Sequence, residues 1–397
     1  MVKRLLAITV IMLVLLSCAT TNIAPIGKQE SFKLQEDEGR IWNRSIEEQA
    51  RLNRSDLIYD DAPLTAYVNE VARNLIPEDV QEKGLSIEVK IIKNPLLNAF
   101  AYPNGVIYVH TGILAKMDNE AQLATLLGHE MTHVTHRHAV QQFRTVKNTT
   151  AVLATIQMAT VPFGVYGSLA NVLGTVGAMA SVTGYSRELE TEADRVGMDL
   201  MAGAGYDPQE TPKLFVYIKS DLEKNDVKEP FFFGSHPRLQ ERINNFNNFL
   251  KSSYAGKAGV KGDERFNNLI APLLLDNAMM DLDMGRYSSA QEGVEKFLRM
   301  KPSSARGHFC LGEIYRQRGE KGDNQKAEAE YRQALSWDPN YPQPRKGLGI
   351  IYYKQGMSVK STEEFQKYLQ LLPDALDREY IRQYIEHPNN TESGGSQ

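Results

Sequence analysis

The chain has 397 residues, of which 42% are hydrophobic and 24% charged, so it is a globular protein long enough for two or three domains. Its formal net charge of -4 provides no general attraction to nucleic acid or to an acidic membrane surface, and we expect no nucleic-acid partner. Because Cys18 lies in a segment expected to be processed, Cys18 and Cys310 do not predict a disulfide framework.

The first residues form a predicted export segment. Two basic residues precede an apolar stretch over residues 5–16, which is short for a membrane span. Leu15-Leu16-Ser17-Cys18 is similar to a lipobox, which implies a lipoprotein signal peptide over residues 1–17 and lipidation of Cys18. Ala19 follows where a retention signal would have Asp, which favours anchoring to the outer membrane on the periplasmic side. A plain signal peptide or an uncleaved anchor are alternatives, and each of them also exports the chain.

Short elements are predicted after this segment. Residues 18–40 are polar and weakly patterned and are interpreted as a tether, and residues 41–57 and 64–75 have the spacing of amphipathic helices. Residues 85–92 alternate apolar and polar side chains in the manner of a strand. Together these elements predict the start of a mixed domain with a small sheet.

A turn and a second β-rich segment lead into the most informative helix. Pro103-Asn104-Gly105 is a turn pattern, and Val106 to Val109 form either an edge strand able to pair with an extended polypeptide or an interior strand. Asp118 and Asn119 are N-cap residues for a helix that begins near Glu120.

The segment from residue 148 to residue 186 contains no charged side chain. One interpretation is a membrane-embedded hairpin, and the other is a pair of buried or groove-covering helices broken near Pro162 and Gly164. Thr, Gln, Asn and Gly dilute the hydrophobicity throughout, which favours the second interpretation.

The C-terminal third repeats itself over residues 266–386. Leu311-Gly312 with Ala327 corresponds to Leu348-Gly349 with Phe365, at about the spacing of helix-turn-helix repeats. These residues resemble tetratricopeptide repeats, arrays that bind peptides or protein partners, although such an array could also only pack against the first domain. Residues 387–397 are predicted to be a disordered tail.

The segment Gly128-His129-Glu130-Met131-Thr132-His133 carries the clearest chemistry. Four residues apart on a helix, His129 and His133 share one face and can direct ring nitrogens at one Zn²⁺ ion. Glu130 lies beside that face, where it can act as general base toward an attacking water. The spacing predicts a hydrolytic zinc site that still needs a third ligand.

An acidic stretch from Glu188 to Asp194 offers that ligand. Glu190 and Asp194 are one helical turn apart, so one carboxylate can bind zinc while the other supports the site. Two histidines and a carboxylate leave the fourth position open, as hydrolysis requires. Alternatively, the acidic stretch is only a solvated helix face.

Two further histidines, His136 and His138, follow the motif. On a continuous helix His136 would lie two turns from His129, too far to share one ion, and no glycine is present to end the helix before it. Both histidines are therefore interpreted as hydrogen-bonding groups or as groups that support the site without binding the metal.

Several motifs resemble the family of zinc endopeptidases that includes the CAAX prenyl proteases, HtpX and the BepA-type periplasmic proteases. The resemblance rests on the following residues: Asn98-Ala99-Phe100-Ala101, Val109-His110-Thr111-Gly112, His129 to His133, Ser186-Arg187, Glu190 to Asp194, and Ser235-His236-Pro237 with Arg242. It implies a zincin-type fold, mainly α with a small β-sheet, over residues 41–255, and Glu190 as third zinc ligand. It also implies that His236 can occupy the open zinc position and hold the enzyme latent, although a His-Pro pair that only caps a helix or stabilises a loop is an alternative.

The resemblance implies a zinc metalloendopeptidase of the cell envelope with Glu130 and Asp194 as catalytic groups and one Zn²⁺ per chain. The implied substrates are misfolded or stalled envelope proteins, with the repeats recruiting substrates or outer-membrane assembly machinery. Two rivals remain: a latent, chaperone-like repeat lipoprotein, and an integral membrane protease that uses the charge-free segment as a span.

Overall fold

A computed structural model describes residues 23–147, 172–182, 184–224 and 239–387. The predicted lipidation site Cys18, most of the charge-free segment, the segment with His236 and residues 388–397 lie outside the described residues. The chain divides into two compact units, Met1–Leu269 and Ile270–Gln397.

The first described residues, from Ile23 onward, pack into the first unit. Ile23 and Ile26 are buried, and helix α1, Glu36–Leu52, begins within the segment expected to be a tether. A capping box between Gln35 and Glu38 fixes the start of α1, five residues earlier than the hydrophobic pattern predicts. The difference arises because the first turn of α1 is polar and is held by this cap.

The next helices follow the sequence closely. Helix α2, Ala62–Leu75, begins where Asp61 accepts a hydrogen bond from the backbone N–H of Leu64 at 2.9 Å. A short helix, α3, covers Glu78–Gln81. The apolar face of α2 then packs into the core beside the sheet.

In the described part of the chain, three strands form a sheet: β1 Glu88–Ile92, β2 Ala99–Ala101 and β3 Val106–His110. β3 lies in the middle, parallel to β1 and antiparallel to β2. The interior alternative for Val106 to Val109 is therefore confirmed, and the edge alternative is wrong. A hydrophobic pattern shows that a strand is buried, but the order of strands depends on pairing with distant residues.

Helices α4, Thr111–Lys116, and α5, Glu120–Thr135, follow the sheet. The Asn119 side chain accepts from the N–H of Gln122, as predicted for the helix start, and α5 is buried on nearly all sides. α5 ends before Arg137, which has a φ of 61°, and α6 begins directly afterwards as His138–Lys147. The expectation that the helix continues for want of a glycine is wrong, because Arg137 itself adopts the left-handed conformation.

The described residues of this unit contain four more α-helices before Asp263: α7 Thr175–Val182, α8 Arg187–Gly203, α9 Thr211–Lys224 and α10 Leu239–Ser252. The buried carboxylate of Glu48 on α1 accepts a hydrogen bond from the N–H of Gly177 at 2.9 Å, which ties α7 to the body of the domain. Among the described residues no helix is both long and apolar enough to cross a membrane.

Helix α11 covers Asp263–Asp283, and the boundary between the units falls within it. The described residues after it form six helices: α12 Tyr287–Met300, α13 Ala305–Arg318, α14 Asp323–Trp337, α15 Pro342–Lys354, α16 Ser358–Leu371 and α17 Arg378–Glu386. Gly312 faces the ring of Tyr331, and a Cβ on it would lie 2.6 Å from that ring. Gly349 faces Phe365 in the same way. The predicted fold, mainly helical with a small sheet and then a helical repeat array, is confirmed.

Candidate metal centre

Three buried side chains converge on one point between α5 and α8. The Nε2 atoms of His129 and His133 are 3.1 Å apart, and the Glu190 carboxylate oxygens lie 3.6 Å and 3.5 Å from them. One donor atom from each residue lies within 4.8 Å of the others. The three predicted zinc ligands are thus brought together by the fold.

A contact between two glycines sets the distance between the helices that carry these ligands. A Cβ on Gly128 would lie 2.7 Å from the carbonyl oxygen of Gly197, and one on Gly197 would lie 2.7 Å from the backbone nitrogen of His129. Real Cβ atoms do not approach so closely, so only glycine allows the two backbones to touch here. Glu190, Asp194 and Gly197 share one face of α8 by their spacing of four and three residues, and that face meets α5.

His129 is held from behind by a buried ion pair. Its Nδ1 lies 3.0 Å from Oδ1 of Asp194, and Arg242 of α10 binds the same carboxylate through Nη2 at 2.6 Å and through Nε at 3.0 Å. Burial alone would raise the pKa of Asp194, but Arg242 and His129 hold this pKa below its usual range. Asp194 is therefore a carboxylate that can fix the His129 ring with Nε2 facing the other ligands.

The Arg242 guanidinium was not assigned a role from the sequence. It is buried, lies 4.4 Å over the ring of Phe215, and its Nη1 is 3.6 Å from Oε2 of Glu190. One cation therefore faces both Glu190 and Asp194. In the sequence, Arg242 was marked only by its position after the Ser235-His236-Pro237 motif.

Glu130 is buried beside the ligands. Burial, helped by repulsion from Glu190 and opposed by Arg242, raises the pKa of Glu130 to about 8. Burial likewise raises the pKa of Glu190 to about 7, against the attraction of His129 and Arg242. A divalent cation among these groups would favour both carboxylates in the charged form.

The donor set fits zinc. Tetrahedral zinc at roughly 2.0–2.1 Å from its ligands keeps the donor atoms roughly 3.3 Å apart. The separations of 3.1, 3.5 and 3.6 Å among the His129, His133 and Glu190 atoms are close to that value. Two imidazoles and one carboxylate are also the ligands that catalytic zinc sites use.

Comparison with known proteins agrees with this geometry. The model of peptidase family M48 matches residues 62–249, which contain all three candidate ligands, Glu130, Asp194 and Arg242. The chain carries a peptidase family M48 domain. A TPR repeat model matches residues 320–356, which places a tetratricopeptide repeat behind the M48 domain.

Several curated relatives are similar to a large part of this chain. The chain is 30% identical over 200 residues to the Beta-barrel assembly-enhancing protease of Yersinia pestis, covering 48% of this chain and 40% of the relative. It is 31% identical over 189 residues to the Mitochondrial metalloendopeptidase OMA1 of Schizosaccharomyces pombe, covering 47% and 53%. The Escherichia coli K12 Beta-barrel assembly-enhancing protease is 23% identical over 287 residues, covering 64% and 58%. The chain thus spans about half the length of these relatives.

Proposed function

We propose that this chain is a zinc-dependent metalloendopeptidase that hydrolyses internal peptide bonds of envelope polypeptides. The observation that carries the proposal is the convergence of His129, His133 and Glu190 beside Glu130 inside an M48 domain. All four side chains are buried, and donor atoms of His129, His133 and Glu190 lie within 4.8 Å of one another, which a solvated acidic face would not require.

The site residues have different roles: binding the metal, transferring a proton and orienting a ligand. His129, His133 and Glu190 hold the ion, and bound zinc supplies Lewis acidity that acidifies water and polarises a carbonyl. Glu130 takes the proton of the attacking water and delivers it to the leaving nitrogen. Asp194 orients His129, as the 3.0 Å contact with Nδ1 supports.

The substrate class and location rest on the relatives and on the sequence. Two of the relatives are named Beta-barrel assembly-enhancing protease, which supports misfolded or stalled envelope proteins as substrates. The tetratricopeptide repeat supports recruitment of substrates or of outer-membrane assembly machinery. The lipobox-like segment supports an outer-membrane lipoprotein, facing the periplasm and anchored through Cys18. We keep residues 41–255 as the peptidase domain and 266–386 as the repeat array.

Glu130→Gln is expected to retain one zinc per chain and to lower casein cleavage by about 10²–10⁴-fold, because only the proton acceptor is lost. Glu190→Gln is expected to lose zinc and activity together. Metal analysis and cleavage assays on the purified full-length chain measure both quantities. Glu188→Gln is the matched control, since Glu188 is exposed on the same helix as Glu190 and should leave both values unchanged.

A parent protein without zinc would contradict the proposal. The chaperone-like alternative makes a different prediction, since a cell carrying Glu130→Gln would then keep the biological function without proteolysis. These two results separate an enzyme from a repeat lipoprotein whose zinc site stays blocked.

His236→Ala is expected to raise casein cleavage several-fold at unchanged zinc content. The proposed reason is that the His236 imidazole occupies the fourth zinc position and displaces the attacking water. Cleavage assays at saturating zinc measure this effect. Equal rates for the parent and the variant would leave His236 as a loop-stabilising residue only.

A further inference from the structure

The His133 ring is contacted at Nδ1 by a second side chain, as the His129 ring is contacted at Nδ1 by Asp194. The Nδ1 of His133 lies 2.9 Å from the Nδ1 of His138, and the Nε2 of His138 lies 3.4 Å from Oε2 of Glu192. His138 is buried, whereas the Glu192 side chain is 39% exposed. The three side chains form a row that begins at a candidate zinc ligand and ends at the protein surface.

The chemistry of imidazole fixes the direction of every hydrogen bond in this row. His133 faces His129 through Nε2, so a metal would take the lone pair of that atom and leave the hydrogen on Nδ1. The Nδ1 of His138 must then accept from His133, which places the hydrogen of His138 on Nε2. That N–H points at the Glu192 carboxylate, which accepts it. One tautomer of each ring satisfies the His133–His138 and His138–Glu192 contacts together.

The chain break after α5 is what places His138 against His133. On a continuous helix residues five apart lie roughly 140° apart around the axis and do not meet. The left-handed Arg137, with its φ of 61°, turns the chain so that His138 returns to the ligand. Such a conformation is unfavourable for a residue with a side chain, and the buried ion pair between Arg137 and Glu38 of α1 holds it.

Tyr185 covers a face of the same ligand. Its ring stacks on the His133 ring with centroids 4.0 Å apart and planes inclined by 17°. The stacking limits tilting of the His133 ring, and the contact with His138 limits its rotation in the ring plane. His133 is therefore constrained both across its face and at its edge.

We propose that His138 is a positioning residue that presents Nε2 of His133 to the metal, with Glu192 fixing the tautomer of His138. The inference rests on the proposed zinc site. His138 is not a fourth ligand, because it meets His133 at the ring nitrogen opposite the one that faces His129 and Glu190. It acts as Asp194 does, through a histidine that binds the ion.

The test is zinc affinity of the full-length protein, measured by competition with a chelating dye. His138→Leu removes the acceptor and is expected to weaken zinc binding by about 10–100-fold. His138→Gln retains an oxygen that can accept from His133 and is expected to restore the affinity to within about fivefold of the parent. Absorption spectra of the cobalt-loaded proteins are expected to be altered by leucine and largely recovered by glutamine.

A matched pair of variants tests the outer end of the row. Glu192→Gln is expected to weaken zinc binding by about three- to tenfold, because the amide accepts less strongly than a carboxylate. His136→Leu is the control, since His136 lies 3.8 Å from Glu192 but contacts no candidate ligand in the described contacts. It should change zinc affinity by less than about twofold. If His138→Leu does not fold, Glu192→Gln still tests the proposal.

Three experimental results would contradict the proposed zinc site or the proposed role of His138. A parent without zinc refutes the proposed zinc site itself. A parent that binds zinc, with His138→Leu and Glu192→Gln of equal affinity to it, refutes only the role of His138. Equal losses in His138→Leu and His138→Gln, accompanied by lower thermal stability of both metal-free proteins, assign His138 to packing.

Discussion

Gly197→Ala is expected to abolish zinc binding at micromolar zinc and to lower the free energy of unfolding by about 1–3 kcal/mol. The added Cβ would lie 2.7 Å from the backbone nitrogen of His129 and 2.8 Å from the carbonyl carbon of Gly128. Both contacts are with backbone, so no side chain can rotate away. α8 must move away from α5, and Glu190 moves with it out of reach of the histidines. Zinc content and urea unfolding of the metal-free protein measure the two effects.

Gly203→Ala is the matched control because it makes the same chemical change on the same helix. A Cβ on Gly203 meets nothing within 4 Å, and alanine favours the helix over glycine. This variant should keep one zinc per chain and unfold within about 1 kcal/mol of the parent, on the stable side. Full zinc content in Gly197→Ala would show that the helix contact does not set the ligand geometry.

The site residues that could be predicted from the sequence are those that lie close together along the chain. His129, Glu130 and His133 lie within five residues, and helical geometry alone places the two rings on one face. Asn119 marked the start of that helix by its capping chemistry. The third ligand lies 57 residues beyond His133, so spacing offered only a choice of carboxylates, and the resemblance to a known family was needed to select Glu190.

The parts that escaped prediction depend on distant contacts. Arg242 binds a carboxylate 48 residues earlier in the chain, which no periodic pattern records. The helix end at Arg137 was missed because a non-glycine residue adopts a left-handed conformation there, supported by Glu38, 99 residues away. The interior position of β3 likewise follows from its pairing with β1 and β2. These features are decided by tertiary contacts that override local preference.

Arg242→Met is expected to lower the free energy of unfolding of the metal-free protein by about 3–5 kcal/mol, because a buried charge is left without its partner. The Arg242 guanidinium binds both oxygens of Asp194 and faces Glu190, and methionine keeps the packing on Phe215 without the charge. Zinc affinity should fall as well, since Asp194 no longer has a fixed position behind His129. Urea unfolding with a chelator present isolates the effect on the fold.

A double variant and a surface control distinguish the buried pair from a general loss of charge. Arg242→Met combined with Asp194→Asn removes both charges and should be more stable than the sum of the single changes implies, by roughly 0.5–3 kcal/mol. Arg195→Met breaks the ion pair with Asp199 on the exposed side of α8, where such pairs contribute about 0–1 kcal/mol. If Arg242→Met were no more destabilised than Arg195→Met, the Asp194 carboxyl would be uncharged in the folded protein. It could not then hold His129 as a charged partner, and the support assigned to Asp194 would have to come from elsewhere.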